Sequence, residues 1–359
     1  FLSTEDEVIP GNYGLKDTVA VLRWVQEYID AFGGDKNRVT VLGGSSGAES
    51  AGLLLISPLA EGLFHRVISQ SGNPLTLEDR NVAKFRAWKL ASLVGCDDET
   101  VTNSEALLNC LKAIPAKKLV ENNLKFYTFG HVLPFVPLGP VIENEKVPGA
   151  FLVDEPRKLI GRKTDIPWIV GMNSADGGMI TIFTYFTPEL TVIEEFDKNY
   201  KKYFPIIFQY GIYAKNSEEV DRLTEKIKNY YFGDKRIKEN PHGFTKMFTC
   251  LGYLPGIKEM MKLYQGPKYV YYYDHRNKDT FGHMYAEYEG DMGVIRGDEL
   301  ISMFNWTEVI TPVTEGVDYV VSKQVIKLWT NFAAKGDPNT DGEELWRPVD
   351  SPDINYLHI

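Results

Sequence analysis

The sequence is poor in cysteine, in clustered metal ligands, in long apolar runs and in positive charge, and each shortage closes off a class of protein. Three cysteines in 359 residues cannot staple a disulfide-built scaffold. No group of cysteines and histidines has metal-ligand spacing, so no metal is expected, and no cofactor motif stands out. No apolar stretch approaches the roughly 20 residues that a membrane helix needs, so no membrane span is expected. Lys and Arg number 39 against 49 Asp and Glu, a net charge of −10. Phosphate contacts need a basic face, so nucleic acid is not an expected partner. The first residues, Phe1-Leu2-Ser3-Thr4, offer neither an initiator Met nor a charged-then-apolar leader. The chain reads as part of something longer, cut at its N-terminal side and short at its C-terminal end too.

What remains is ordinary globular composition, 43% hydrophobic and 25% charged. From Gly14 to Phe32, Leu15, Val19, Leu22 and Ile29 fall on one stripe at helical spacing, widened by Trp24, Val25 and Tyr28. Gly33-Gly34 stops that helix. Arg38 to Leu42 reads as a short buried strand, Gly43 to Gly47 as a turn, and Ala48 to Ile56 as an apolar helix. Asp165 to Gly171 and Tyr269 to Asp274 read as further strands, residues 275–297 as an irregular loop, and Val320 to Ala334 as a last helix. Strands separated by long helical stretches, about 79–130 and 180–264, predict one α/β domain over residues 1–359 with a central, mostly parallel sheet, helices on both faces and a helical cap. Cys96 and Cys110, 14 apart, either close a small loop in an oxidising compartment or stay reduced, and Cys250 is left over. Asn305-Trp306-Thr307 is a glycosylation sequon.

Gly43-Gly44-Ser45-Ser46-Gly47 matches G-x-S-x-G between a predicted strand and a predicted helix. In that setting the glycines permit a tight turn that lifts the Ser45 hydroxyl off the sheet, and the Ser46 backbone N–H faces a developing oxyanion. Around it stand Pro10-Gly11-Asn12-Tyr13-Gly14-Leu15-Lys16-Asp17, Ala31-Phe32-Gly33-Gly34-Asp35 and Leu63 to Gly72. Near the far end lie Leu328-Trp329-Thr330-Asn331-Phe332-Ala333 and Gly336-Asp337-Pro338-Asn339. With these runs the whole chain resembles the type-B carboxylesterase/cholinesterase family. The resemblance implies an α/β-hydrolase fold lacking its first strands, and a Ser–acid–His triad in that chain order. It makes Ser45 the nucleophile. Ile169 to Gly178 resembles the family segment in which an acid directly precedes Gly, and so gives Asp176 the acid's place.

The resemblance departs from the family at the base. Gly293-Val294-Ile295-Arg296-Gly297-Asp298-Glu299-Leu300 keeps every neighbour of the catalytic histidine and has Arg296 in its place. A guanidinium stays protonated and has no acceptor lone pair, so it cannot take the Ser45 proton. An ion pair with Asp176 is the expected alternative. Of the six histidines, His65, His131, His242, His275, His283 and His358, only His283 lies near Arg296 in sequence, and its loop reads as surface. Gly44 departs too, since many members carry Glu there. Ser71 and Glu299 match polar positions that the resemblance puts near the triad. Phe183, Tyr185, Phe186, Phe208 and Tyr210 line a lipophilic pocket or pack a core.

The resemblance thus implies a serine carboxylesterase for small lipophilic esters, with turnover expected to be strongly impaired by Arg296. The alternative is a non-catalytic relative that sequesters a ligand or mediates protein adhesion. Secretion is the expected location, and the oligomeric state stays open.

Overall fold

Three strands buried along nearly their whole length, on both faces, put the sheet in the middle of the molecule. In the computed structural model, residues 1–359 are described except 76–79, 128–136, 145, 163–164, 187–191, 209, 286–289, 307–312 and 351–353. Five strands, β1 (Thr40–Gly44), β2 (Arg66–Gln70), β3 (Trp168–Asn173), β4 (Lys268–Tyr273) and β5 (Leu357–His358), form one sheet in sequential order. All four pairings are parallel, with Val67 opposite Trp168 and Val170 opposite Val270. Val67, Trp168, Val170 and Val270 point to one face, and Ile68, Ile169, Tyr269, Tyr271 and Tyr273 to the other. Both sets are buried, as parallel sheets require.

The helices between strands supply the cover. They are α1 (Tyr13–Tyr28), α2 (Ser46–Ile56), α3 (Arg80–Val94), α4 (Ser104–Ala113), α5 (Ala116–Asn123), α6 (Pro156–Leu159) and α7 (Gly178–Tyr185). Then follow α8 (Ile193–Ile207), α9 (Ser217–Phe232), α10 (Pro241–Phe248), α11 (Leu254–Leu263), α12 (Phe281–Tyr285), α13 (Asp298–Ile301) and α14 (Gly316–Lys335). Leu15 and Val19 of α1, Leu53 and Leu54 of α2 and Met260 of α11 close one face. Val325, Trp329 and Phe332 of α14, with Trp346, close the other. At about 25 cal/mol per Å² of apolar surface, each buried Leu or Phe stabilises the fold by about 1.5–3 kcal/mol.

Two satellite cores carry the long insertions. Phe196, Phe204, Phe244 and Phe248 join α8 and α10. Tyr185, Phe208 and Tyr210 pack against that cluster, and Phe186 packs with Ile182 and Phe281. These aromatics therefore act as packing residues. Leu90, Leu107 and Leu111 form the other core across α3 and α4, and there Cys96 and Cys110 are joined, with S–S 2.05 Å. Cys250 is a free thiol.

Three expectations need correction. Trp24 and Tyr28, read as widening the buried stripe, are exposed with Phe32 on the outer side of α1, their rings 5.5–5.6 Å from Trp24's. Leu15, Val19 and Leu22 alone carry that helix's buried face. The strand expected to be buried runs Thr40–Gly44 and pairs only with β2 among the described residues, so Leu42 is exposed. The stretch 275–297, expected to be irregular, holds the short α12.

Candidate active site

Parallel sheets present their loops, and so their chemistry, at the carboxyl ends of the strands. β1 ends at Gly44, and α2 starts at Ser46. Between them Ser45 takes φ 61° and ψ −125°, a conformation that costs a non-glycine residue about 1–3 kcal/mol. The surroundings enforce it. A Cβ on Gly43 would stand 2.1 Å from the Gly47 carbonyl oxygen, so only glycine lets strand and helix approach. One on Gly72 would stand 2.5 Å from the Ser45 carbonyl oxygen. The Ser45 N–H donates to the Gln70 carbonyl at 2.8 Å, tying the turn to the end of β2. Ser45 thus sits on the strained strand–turn–helix elbow that the sequence implies. Ser46 opens α2, whose first-turn N–H groups have no partner within the helix.

Ser71, directly after β2, repeats the left-handed backbone at φ 57°. Its N–H donates to the Gly171 carbonyl at 2.9 Å, and its hydroxyl donates to Asp176 Oδ1 at 2.9 Å. Asp176 follows β3 and is fully buried, and its Oδ2 has no hydrogen-bond partner. Burial pushes its carboxyl up to about 7, with Arg296 drawing it down and Glu299 adding to the rise. Glu299, on α13, is buried too and accepts from Gln70 Nε2 at 3.2 Å and from Asn173 Nδ2. Burial also raises its carboxyl.

Arg296 precedes α13 in the turn where the triad histidine is expected. Its Nη1 donates to the Tyr253 hydroxyl at 2.7 Å, its Nη2 donates to the Ser71 carbonyl, and its buried Nε has no partner. The guanidinium carbon lies 4.7 Å from the Tyr253 ring centroid, within cation–π range. The expected ion pair with Asp176 is thereby replaced: both terminal nitrogens are committed to Tyr253 and to a backbone carbonyl. Burial lowers the guanidinium's proton affinity, but Tyr253, Asp176 and Glu49 together hold it above its ordinary value, so Arg296 remains a cation. Glu49 of α2, pushed up to about 7 by burial and drawn back by Arg296, is the second carboxyl beside it.

A cavity of about 730 Å³ joins Ser45, Gly44, Ser71, Arg296 and Glu299 to apolar walls from Met179, Phe281, Met284, Leu300 and Trp306. That volume suits a small organic ligand. Asn305 stands on its exposed rim, and Thr307 of the sequon lies outside the described residues. Among the described residues no histidine lines this cavity. His283 is exposed, and His275 pairs with Asp318 at 2.9 Å. His358 approaches Asp274 at 3.5 Å, and His65 Nδ1 accepts from the Val39 N–H. His242 lines a different cavity of about 610 Å³, and His131 lies outside the described residues.

The sequence reading missed Glu49, Tyr253, Gln70 and Asn173. Glu49 was within reach of it, because a residue four after the elbow serine on a helix lies one turn above it. Tyr253 carried no local signal: it comes from a π-helical turn between α10 and α11.

The carboxylesterase family description matches residues 1–359. Esterase FE4 of Myzus persicae is 33% identical over 97% of this chain and 61% of its own length. The juvenile hormone esterase of Tribolium castaneum is 30% identical over 100% of this chain and 65% of its own. The chain thus spans less than two thirds of these relatives. The crystal structure of juvenile hormone esterase from Manduca sexta, with OTFP covalently attached, superposes with a TM-score of 0.85 at 23% identity, covering 100% of this chain and 67% of that one. Its likeness establishes the α/β-hydrolase fold. On family match, relatives and fold together, the chain belongs to the carboxylesterase family.

Proposed function

We propose that this chain keeps the esterase architecture around Ser45 but turns esters over very slowly, with Arg296 as the reason. In a working member the serine hydroxyl adds to the ester carbonyl while a base takes its proton. The alcohol then leaves with a proton, and water releases the acid from the acyl-serine. Here Ser45 holds the elbow geometry, Ser71 orients Asp176, and the α2 N-terminus faces a developing oxyanion. Among the described residues lining the cavity there is no imidazole, and its carboxyl, Glu299, is buried and already accepts from Gln70 and Asn173. Carboxyls near 7 exist, but Asp176 is bound to Ser71 and fully buried. The observation that carries the reading is the orphaned Asp176 Oδ2 beside a cation that donates elsewhere. An imidazole would have given that oxygen its N–H.

Loss of a triad histidine costs a serine hydrolase on the order of 10⁶ in kcat. The test compares the chain with Arg296→His on a chromogenic acetyl ester. Expected is a near-background rate for the unmodified chain, and a gain of at least about 10²-fold on restoring a general base. Equal and brisk hydrolysis by both would refute the reading. A retained cavity with apolar walls supports ligand sequestration as the accompanying role, with esters or related lipophilic molecules as the class bound. The Cys96–Cys110 bond supports passage through an oxidising, secretory compartment.

A further inference from the structure

The cation in the Ser45 cavity has donors to spare and, among the described residues, no anion in contact. A guanidinium carries five N–H donors, and those of Arg296 that are engaged go to the Tyr253 hydroxyl and the Ser71 carbonyl, both neutral acceptors. The nearest carboxyls, Glu49 and Asp176, act on it only at a distance, and Asp176 gives its bonded oxygen to Ser71. Arg296 lines the cavity together with Ser45 and Ser71. The same cavity is lined by the apolar side chains of Phe281, Met284, Trp306, Leu300 and Met179. A pocket that combines an under-compensated cation with apolar walls fits a molecule with an anionic head and an apolar body.

We propose that the Ser45 cavity binds a lipophilic monocarboxylate, its head on Arg296 and the Ser45 hydroxyl and its chain along the Met and aromatic walls. The inference rests on the reading that Arg296 has taken the place of a base, and it names the ligand class of that altered site. An ester offers the guanidinium only a neutral carbonyl oxygen. A carboxylate offers two charged acceptors in the planar, two-pronged geometry that guanidinium matches. Inorganic phosphate would meet the cation but leave the apolar walls wet.

Carboxyls poised near neutrality add a direction. Four titratable groups face the guanidinium: Glu49 from α2, Asp176 after β3, Tyr253 before α11 and Glu299 from α13. As pH falls from 8 to 6, Glu49 and Asp176 pass through about 7 and lose charge, while a fatty acid's carboxyl, with an ordinary value near 4–5, stays ionised. The cation becomes less screened and the bound carboxylate is held more tightly.

The test titrates the complete chain calorimetrically with dodecanoate, dodecan-1-ol, acetate and inorganic phosphate, the first below its micelle-forming concentration. Expected is a preference of at least about tenfold for dodecanoate over the alcohol, equivalent to about 1.4 kcal/mol, with acetate and phosphate weaker by more. In Arg296→Gln the dodecanoate preference falls to about twofold or less, and Arg296→Lys keeps an intermediate value. The comparison of acid with alcohol, and a several-fold gain in dodecanoate affinity from pH 8 to 6, need no variant to fold. Equal affinity for acid and alcohol, a preference that survives Arg296→Gln, or an affinity that falls towards pH 6 would each overturn the proposal. None of these ligands is an ester, so brisk turnover in the separate ester assay would refute the impaired-esterase reading while leaving this preference measurable.

Discussion

Replacing Asp176 by Asn tests whether the acid position truly lacks a donor. The carboxyl ionises at about 7 in the folded chain, against an ordinary value of 3.8. Between those values the folded state holds a proton that the unfolded chain has given up. Stability from this group is therefore present at low pH and is lost as pH rises towards 7, with about 1.4 kcal/mol per pH unit in between. From pH 5 to 8 the loss is about 3 kcal/mol, since only the two units below 7 count. Asn cannot ionise, so the variant escapes it. Its amide meets a different cost: the Nδ2 group standing where Oδ2 has no partner leaves donors unsatisfied, at about 1–3 kcal/mol at every pH. Because the parent has already lost about 1.6 kcal/mol by pH 5, Asp176→Asn is expected to lie within about 1.5 kcal/mol of it there and to be the more stable protein at pH 8. With an unfolding entropy of about 2.1 cal/mol/K per residue, each kcal/mol moves the melting temperature of a chain this long by about 1.3 °C. The gap between the two proteins should therefore swing by about 3–4 °C in favour of the variant between pH 5 and pH 8, read by differential scanning fluorimetry. Parallel curves, or a swing of opposite sign, would refute the reasoning. They would mean that Arg296 compensates the carboxylate directly after all.

Other consequences can be checked on the same protein. Cys96→Ser with Cys110→Ser opens a loop of 14 residues in separation and should cost about 3 kcal/mol, matched by the melting shift that dithiothreitol causes in the parent. Gly43→Ala drives a Cβ into the Gly47 backbone; loss of covalent labelling of Ser45 by an organophosphate in an Arg296→His background should exceed any loss of fold seen by circular dichroism. Trp168→Ala removes a buried indole that donates to Ser69 Oγ at 3.0 Å and should cost about 3–5 kcal/mol, with soluble yield as a first readout. Adding Glu49→Ala to Arg296→His should raise the melting temperature over the single variant, because Glu49 would otherwise sit beside no cation; a lower value would contradict its role.

Much of the fold was legible because two strands advertise themselves. Trp168-Ile169-Val170 and Tyr269-Val270-Tyr271-Tyr272-Tyr273 are apolar on both faces, as strands inside a parallel sheet must be. β2 was hidden. Of Arg66-Val67-Ile68-Ser69-Gln70 only two residues are aliphatic, and the burial of the others is a tertiary matter. Ser69 is held by donating to the Ala48 carbonyl and accepting from Trp168, contacts about 20 and 100 residues away in sequence. The outward turn of Trp24 and Tyr28 was hidden for a related reason: helical spacing defines a stripe, but not how wide the neighbouring surface is. At the site, the position of Arg296 was readable from its flanking residues. Its aim was not, because the choice between Asp176 and the Tyr253–Ser71 pair is decided by distances that local sequence does not encode.

The placing of Arg296 between Glu49 and Asp176 bears on how this site can change over generations. Among the described residues, the Arg296 guanidinium is the cation that draws the Glu49 carboxyl back towards its ordinary range. Replacing Arg296 by His would offer Asp176 Oδ2 an N–H donor but leave the desolvated Glu49 carboxyl without its cation. Such a change costs stability at α2 unless Glu49 is replaced as well. Positions 49 and 296, on α2 and in the turn before α13, are thus coupled, and what either tolerates depends on the residue standing at the other.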